Sequence, residues 1–253
     1  MPSILITGAA SGIGRATAEL FYSKGWTVGL ADMDITGLEQ LQASMNKQRS
    51  CILSMDVTDA DSVKNAFEQF KDFQGESLNV LFNCAGILRM GTNESIPLKE
   101  QHQIFNVNVG GVLNCIHYAT PLLKKAIKPQ IISMSSASAV YGIPQLAAYS
   151  ASKHAVRALT ESLNIELEHQ GIMVSDVMVP FVSTPMVEQA KHQASSVKKL
   201  GVNIKPTTVA KTVWKAAHNK RIHWQVGAPM YLLSTLNWAL PFSRKKLFKL
   251  LTD

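Results

Sequence analysis

Tyr149 and Lys153 stand four residues apart in the segment LAAYSASKHAV, which spans residues 146–156. On a helix, side chains at this spacing share one face, so a phenol and an ammonium group would lie side by side. An ordinary helix with a half-buried tyrosine and a solvated lysine would also account for the pair. The chemical alternative is a phenol whose pKa is lowered by the neighbouring cation, so that it exchanges protons near neutral pH.

A glycine-rich segment near the N-terminus has the composition of a phosphate-binding loop. The residues ITGAASGIGRAT place Gly8, Gly12 and Gly14 between a predicted strand and a predicted helix. Glycine lets the backbone approach a pyrophosphate closely, and a helix N-terminus offers amide donors with a favourable dipole. Its position in a βαβ unit predicts a dinucleotide site, although a tight strand-to-helix turn without a ligand has the same composition.

Asp32 follows the second predicted strand, in the sequence LADMD. A carboxylate at this place can accept hydrogen bonds from the adenosine ribose hydroxyls, and it would repel a ribose phosphate. Ser11 and Met33 stand where an arginine would favour that phosphate, and Arg15 falls inside the predicted helix. These residues predict NAD in preference to NADP, while an N-cap of the following helix is the alternative role for Asp32.

These residues need a scaffold, and the chain supplies an alternation of short β-rich runs and longer helical patterns. Strands are predicted at 4–6, 27–31, 51–55, 78–82, 131–135, 173–179 and, weakly, 224–226; helices are predicted at 12–24, 35–47, 60–72, 98–125, 147–169 and 207–219. This order predicts an α/β fold, a Rossmann-like doubly wound parallel sheet with helices on both faces. We expect one NAD-binding catalytic domain over residues 1–253.

Composition narrows the class of protein further. Apolar residues make up 46% of the 253 residues, which excludes a disordered chain. The net charge of +7 raises nucleic acid as a partner, but no nucleic-acid recognition motif is present, so none is predicted. Cys51, Cys84 and Cys115 lack zinc-type spacing and the seven histidines form no metal motif, so no metal is predicted. Scattered cysteines and an N-terminus that reads as a strand favour a cytoplasmic protein.

Taken together, these segments resemble the short-chain dehydrogenase/reductase family. TGAASGIG at 7–14 is similar to the family's TGxxxGxG, NCAG at 83–86 to its NNAG, and YSASK at 149–153 to its YxxxK. Asp56-Val57 resembles the adenine-contacting pair after the third strand, and STPM at 183–186 the segment that holds the nicotinamide carboxamide. Ser136 precedes Tyr149 at the family's interval. The resemblance extends to about residue 227.

The resemblance implies a catalytic set of four residues. Tyr149 would be the general acid/base, Lys153 would stabilise its phenolate and hold the nicotinamide ribose, and Ser136 would orient the substrate oxygen. Asn108 would organise a water that links Lys153 to solvent. By composition alone, Ser133, Ser135, Ser138 and Asn106 are competing loop or surface residues. The implied cofactor-binding residues are Gly8, Ser11, Gly12, Ile13, Gly14, Asp32, Met33, Asp56, Val57, Asn83, Ala85, Gly86, Tyr149, Lys153, Val182 and Thr184.

The expected function is therefore an NAD-dependent oxidoreductase that interconverts a secondary alcohol and a ketone, on a hydrophobic substrate. A catalytically inactive dinucleotide-binding sensor or scaffold is one alternative, and an epimerase or dehydratase on the same fold is another. The intact catalytic set disfavours the first, and the short chain disfavours the second. Two departures from the family pattern are Cys84, in place of the second asparagine of NNAG, and Val179-Pro180, in place of a Pro-Gly pair.

Two segments beyond the motifs are expected to shape the substrate site. Residues 186–206 are predicted to form a mobile flap at the carboxyl ends of the strands, with a surface insertion of no function as the alternative. Met178, Met186 and Met230 are candidates to line a cavity, although methionine commonly fills cores.

The C-terminal segment 230–253 has apolar residues at helical spacing on both sides of Pro241, with Arg244, Lys245, Lys246 and Lys249 among the second set. This amphipathic pattern favours packing on the substrate pocket or on a neighbouring subunit, and peripheral contact with a membrane is the alternative. The resemblance also implies a homodimer or homotetramer built on the helices predicted at 98–125 and 147–169. Small residues, namely Gly110, Gly111, Ala151 and Ala155, would allow close helix packing there.

Overall fold

The computed structural model describes residues 1–190, 192–239, 242, 245–246 and 249. Its strands are β1 (Ser3–Thr7), β2 (Thr27–Asp32), β3 (Ser50–Ser54), β4 (Val80–Asn83), β5 (Gln130–Met134), β6 (Met173–Met178) and β7 (His223–Gln225). They form one parallel sheet in the order β3-β2-β1-β4-β5-β6-β7. The predicted doubly wound α/β fold is confirmed, including the weak seventh strand.

Helices connect the strands and cover the sheet. They are α1 (Gly12–Ser23), α2 (Ile35–Gln42), α3 (Ala60–Gln74), α4 (Leu98–Phe105), α5 (Gly111–Leu123), α6 (Ala147–Glu166), α7 (Pro185–Glu188), α8 (Ser195–Leu200), α9 (Pro206–Ala216) and α10 (Ala228–Ala239). A π-helical turn over Asn106–Gly110 joins α4 to α5. Short 3-10 segments cover Ala137–Ala139 and Glu168–Gln170.

Side-chain alternation along β1 explains why both faces of the sheet are buried. Ile4 and Ile6 belong to the apolar core that includes residues of α1 and α9, whereas Leu5 belongs to the core that includes residues of α3 and α5. Successive strand residues point to opposite faces, so a continuous apolar strand requires helices on each side. Each of these three side chains is fully buried.

Several helices end a few residues from their predicted bounds, and two differ most. The helix predicted at 35–47 ends at Gln42, because the Ser44 hydroxyl donates to the Leu41 carbonyl at 2.9 Å and Asn46 forms a local turn with the Gln48 N–H. The helix predicted at 98–125 is interrupted by the π-helical turn, which the apolar periodicity of the sequence does not reveal.

The segment predicted as a polar flap contributes to a third apolar cluster. Val187, Ala194 and Val197 are buried there beside Leu88 and Ile143. The segment therefore has an apolar inner side, and its predicted mobility stays a prediction.

The C-terminal segment is described only in part. Helix α10 covers its first half, while Leu240, Pro241, Arg244, Leu247, Phe248, Leu250 and Leu251 lie outside the described residues. Among the residues that are described, no helix combines the length and the apolar character needed to cross a bilayer.

Candidate active site

The glycine-rich loop between β1 and α1 forms a cradle that side chains would fill. Gly8 and Gly12 have backbone φ angles of +72° and +52°, in the region that favours glycine. A Cβ atom on Gly14 would overlap the carbonyl oxygen of Gly8, so the loop closes tightly on the first turn of α1. No acidic residue stands in that first turn. The geometry suits a pyrophosphate, whose negative charge the helix N-terminus favours.

Asp32 ends β2 with its carboxylate held by backbone donors. The Ala10 N–H donates to its Oδ2 at 3.0 Å, and the Asp34 N–H donates to its Oδ1 at 3.1 Å. The N-cap of α2 is Asp34, which accepts from the Gly37 N–H at 3.0 Å, so the capping role considered for Asp32 belongs to Asp34. Arg15 pairs with Glu19 along α1 at 3.2 Å.

A cavity of about 820 Å³ lies where the carboxyl ends of the central strands meet. Almost all of the residues expected to bind the cofactor or to do chemistry line this one cavity. They are Gly8, Ser11, Gly12, Ile13, Gly14, Asp32, Met33, Asp56, Val57, Ala85, Gly86, Ser136, Tyr149, Lys153, Val182 and Thr184. The two exceptions, Asn83 and Asn108, lie behind the lining.

Asn83 and its neighbours fix the end of β4. The Thr7 hydroxyl on β1 accepts from the Cys84 and Ala85 N–H groups, each at 3.1 Å. The Asn83 amide donates to the Ser133 hydroxyl at 3.2 Å, while its Oδ1 has no hydrogen-bond partner within the described part of the chain. These bonds tie three neighbouring strands together at the floor of the cavity.

Asn108 lies in the π-helical turn and is fully buried, whereas Asn106 is exposed. Its Nδ2 donates to the Ile87 carbonyl at 3.0 Å and to the Ser152 hydroxyl at 3.1 Å, and its Oδ1 accepts from the Ile87 N–H at 2.8 Å. These bonds join the loop after β4 to α6. The role toward a water that the resemblance implies for Asn108 stays a prediction.

Tyr149, Ser136 and Lys153 converge at the first turns of α6. Ser136 is the polar side chain that acts on the Tyr149 phenol, and Ser136 Oγ accepts from the Ser138 N–H at 3.1 Å. Lys153 Nζ donates to the Met134 carbonyl at 2.8 Å and lies 5.6 Å from the centre of the Tyr149 ring. Of the four neighbouring serines, the one at the family's interval from Tyr149 is the one that contacts its phenol.

Burial controls the protonation of this group. It raises the pKa of Tyr149 to about 12, although the hydrogen bond from Ser136 opposes the rise. It lowers the pKa of Lys153 to about 8. In the protein alone, desolvation therefore outweighs the attraction between phenolate and ammonium that the sequence suggested, and both side chains are biased toward their neutral forms.

The two departures from the family pattern are accommodated by packing. Cys84 is partly buried against the main core, and burial raises the pKa of its thiol to about 12, so it stays neutral. Val179 is buried in the same core, and its carbonyl accepts from the Ala137 N–H at 2.8 Å. Pro180 contributes to the cavity lining.

The outer part of the cavity comes from residues that carry no motif. Among them are Leu88, Ile143, Val187, Ser196, Leu233 and Leu236, from the loops after β4 and β5, the flap and α10. Met186 and Met230 also line it, as considered from the sequence, but Met178 does not; it is buried in β6. The helical spacing of apolar residues in α10 was visible, yet nothing in the sequence indicated which cavity they reach.

Comparisons with known proteins agree with the fold and with the family that the sequence resembles. Residues 2–195 match the family profile described as short chain dehydrogenase. The 3-oxoacyl-[acyl-carrier-protein] reductase FabG of Thermotoga maritima is 34% identical over 83% of this chain and 87% of its own. The cyclohexanol dehydrogenase of an Acinetobacter species is 28% identical over 83% and 84%. The crystal structure of a 3-ketoacyl-(acyl-carrier-protein) reductase from Brucella melitensis complexed with NADH superposes with a TM-score of 0.80, at 26% identity over 89% and 96%.

Proposed function

Because the chain belongs to the short-chain dehydrogenase family, we propose that it is an NAD-dependent oxidoreductase that interconverts a secondary alcohol and a ketone. One observation carries the proposal: the side chains of Tyr149, Ser136 and Lys153 lie in the same cavity as the glycine cradle and Asp32. A proton-transfer group and a dinucleotide cradle that share one cavity suit hydride transfer.

The residues present fit a nicotinamide dinucleotide. The cradle at Gly8, Gly12 and Gly14 would take the pyrophosphate, and Asp32 would take the adenosine ribose hydroxyls. Asp56 and Val57 would contact the adenine, and Val182 and Thr184 the nicotinamide end, as the resemblance implies. Since a carboxylate repels a ribose phosphate and Arg15 is paired with Glu19, NAD is the preferred cofactor.

When bound, the nicotinamide supplies or accepts the hydride at the carbon that carries the substrate oxygen. The Ser136 hydroxyl holds and orients that oxygen. In reduction, the Tyr149 phenol gives its proton to the oxygen; in oxidation, the phenolate takes the proton from the alcohol. The Lys153 ammonium, beside the phenol, stabilises the phenolate, and its position on the cavity wall lets it also hold the nicotinamide ribose.

The lining of the cavity supports a hydrophobic substrate. Of the described residues that line it, only Asp32, Asp56 and Lys153 are charged, and all three are assigned to cofactor binding or catalysis. The remaining outer wall is mostly aliphatic, with Leu88, Leu233 and other apolar side chains. A charged substrate group would lose its hydration there without gaining a partner.

The experiment is a panel of secondary alcohols and ketones, assayed with NAD and NADP in parallel. We expect NADH to form with hydrophobic secondary alcohols and kcat/KM to be larger with NAD. Asp32→Ala removes the ribose contacts and the repulsion together, so it should narrow the preference between the two cofactors. Glu39→Ala is the matched control, because it removes an acidic side chain on α2 that lies outside the cavity lining. Wild-type preference for NADP would contradict the cofactor assignment, and turnover of no alcohol or ketone would contradict the activity.

Assembly as a homodimer or homotetramer is part of the proposal. Leu98, Leu113 and Ile165 expose 66%, 46% and 74% of their surfaces on α4, α5 and α6, the helices expected to pair between subunits. Gly111 is among the small residues expected to pack between subunits, but a Cβ there would lie 2.6 Å from Val57 Cγ2, inside the subunit. Its small size serves internal packing. Light scattering of the purified protein should give a mass at least twice the 27.7 kDa of one chain; a monomer would contradict the proposal.

Packing is the interpretation of the C-terminal segment that the described residues support. Met230, Leu233 and Leu236 on α10 line the cavity, and Gln225 Nε2 on β7 donates to the Ser234 hydroxyl at 3.0 Å. We propose a cytoplasmic enzyme, with its three cysteines free as suits a reducing compartment. Salt-sensitive binding of the full chain to anionic vesicles, lost in a chain that ends at Leu240, would establish the membrane alternative instead.

A further inference from the structure

Ser196 is a buried polar residue that neither the fold nor the proposed catalysis uses. It lies on α8, exposes 1% of its surface and lines the cavity. Its hydroxyl has no hydrogen-bond partner among the described residues. A hydroxyl buried without a partner costs about 1–3 kcal/mol, so the position calls for an explanation.

Buried apolar residues lie on both sides of Ser196 in the sequence. Its neighbours in sequence, Ala194 and Val197, are buried in the apolar cluster that also contains Leu88, Ile143 and Val187. An alanine would suit such a cluster better than a serine. Because Ser196 lines the cavity, a ligand in the cavity is the natural partner for the hydroxyl.

Two hydrogen bonds fix the chain directly before Ser196. The Ser195 N–H donates to Gln145 Oε1 at 3.0 Å, and the Ala194 N–H donates to Met90 Sδ at 3.3 Å. Gln145 has a backbone φ of +65°, which is uncommon and strained for a residue other than glycine. Its own carbonyl accepts from the Gly91 N–H at 3.0 Å. A strained residue with bonds on both sides positions the start of α8, and with it Ser196.

We propose that the Ser196 hydroxyl binds a second oxygen of the substrate, separate from the oxygen on the reacting carbon. The proposal rests on the alcohol–ketone activity above and narrows its substrate class to hydrophobic diols and hydroxy ketones. Ser135 is another unpartnered hydroxyl in the lining, but it directly precedes Ser136 and so belongs to the reacting end. Ser196, on the flap, is the residue that distinguishes a bifunctional substrate from a simple alcohol.

The test compares matched alcohols. Secondary alkanols and alicyclic alcohols of increasing size are each paired with the diol that adds one hydroxyl at the far end. For at least one pair, the wild-type enzyme should have a larger kcat/KM for the diol. Ser196→Ala should lower the diol-to-alcohol ratio of kcat/KM about fivefold to tenfold, which is the worth of one hydrogen bond. The kcat/KM of Ser196→Ala for the simple alcohol should equal that of the wild-type enzyme.

Ser175→Ala is the matched control, because Ser175 is equally buried and, like Ser196, has no hydroxyl partner among the described residues, but lies in β6, outside the cavity lining. It should leave the ratio unchanged. Thermal unfolding without ligand adds a second measurement: Ser196→Ala should not lower the midpoint, since no bond within the protein is lost. A lowered midpoint, an unchanged ratio, or no wild-type preference for any diol would overturn the role of Ser196 and leave the oxidoreductase proposal intact. Failure to turn over any alcohol would overturn both.

Discussion

Two groups of ionisable side chains lie along α6, and they differ in what surrounds them. At its start, Tyr149 and Lys153 face the cavity with Ser136 as the polar neighbour. Further along, Arg157 Nε donates to Glu161 Oε1 at 2.9 Å, and His223 on β7 lies 3.3 Å from the same oxygen. His223 Nδ1 is also 2.9 Å from Oδ1 of Asp176, which is completely buried in β6.

The difference separates a chemical site from a structural one. Burial raises the pKa of Asp176, just as it raises that of Tyr149, so a perturbed pKa alone does not distinguish the groups. In the second group, charges are directed at each other, with the carboxylates of Asp176 and Glu161 on either side of His223. In the first group, the polar atoms are directed at space that a ligand can fill. Substitutions in the first group should therefore change activity, and those in the second should change stability.

Tyr149→Phe should have the largest effect. It removes the proton donor and keeps the ring, so turnover should fall by at least about 10²-fold. NAD binding by titration and the thermal midpoint should stay close to wild type. Tyr118→Phe on α5, outside the cavity lining, is the control and should keep wild-type turnover. Near-normal turnover in Tyr149→Phe would mean that another group transfers the proton.

Asp176→Ala should lower stability and leave activity close to wild type. It removes the buried one of the two carboxylates beside His223 and breaks the 2.9 Å hydrogen bond between them, so the free energy of unfolding should fall by about 1–3 kcal/mol. Chemical denaturation measures this loss, and kcat/KM should stay within about twofold of wild type. Ser175→Ala controls for disturbance of β6 itself. A fall in kcat/KM as large as that in Tyr149→Phe would erase the distinction between the two groups.

Lys153→Met tests whether the buried ammonium of the first group makes stability depend on pH. The pKa of Lys153 in the folded protein is about 8, below its value of 10.5 when unfolded. Between these pH values the unfolded chain holds one more proton than the folded one, so this lysine's contribution to stability rises with pH and falls as pH drops through 8. The stability of Lys153→Met relative to wild type should thus be greatest below pH 8 and decline above it. A difference that does not change with pH would contradict the buried ammonium.

A pair of serines on and just after β5 should show the smallest effect. Ser133 accepts a hydrogen bond from Asn83, whereas the Ser135 hydroxyl has no partner among the described residues. Ser133→Ala should lower the free energy of unfolding by about 1 kcal/mol, and Ser135→Ala should leave it nearly unchanged. Denaturation under identical conditions compares them. Equal losses in the free energy of unfolding would mean that the burial of a hydroxyl here, and not its hydrogen bond, determines how much it contributes to stability.

Much of the sheet and of the inner site could be predicted from the sequence, because both depend on local patterns of residues. Alternating elements predict the parallel sheet, glycines predict the cradle, and the interval between Ser136 and Tyr149 identifies one serine among four. The rest depends on contacts between distant residues. His223 contacts Asp176 only because β7 pairs with β6. Ser196 stands out only because its buried hydroxyl has no hydrogen-bond partner among the described residues. The positive φ of Gln145 likewise has no signature in a residue that is not glycine.

The cavity takes part of its outer wall from a later stretch of the chain than any residue of its inner part. The cradle, Asp32 and the proposed catalytic residues precede residue 195, where the match to the family profile ends, whereas Ser196 and the α10 side chains follow it. Helix α10 comes after the last strand, and its rearrangement would not disturb the register of any strand pair. Mutation can therefore alter substrate choice late in the chain while hydride chemistry is inherited unchanged. A fold organised in this way can diverge in specificity without passing through inactive ancestors.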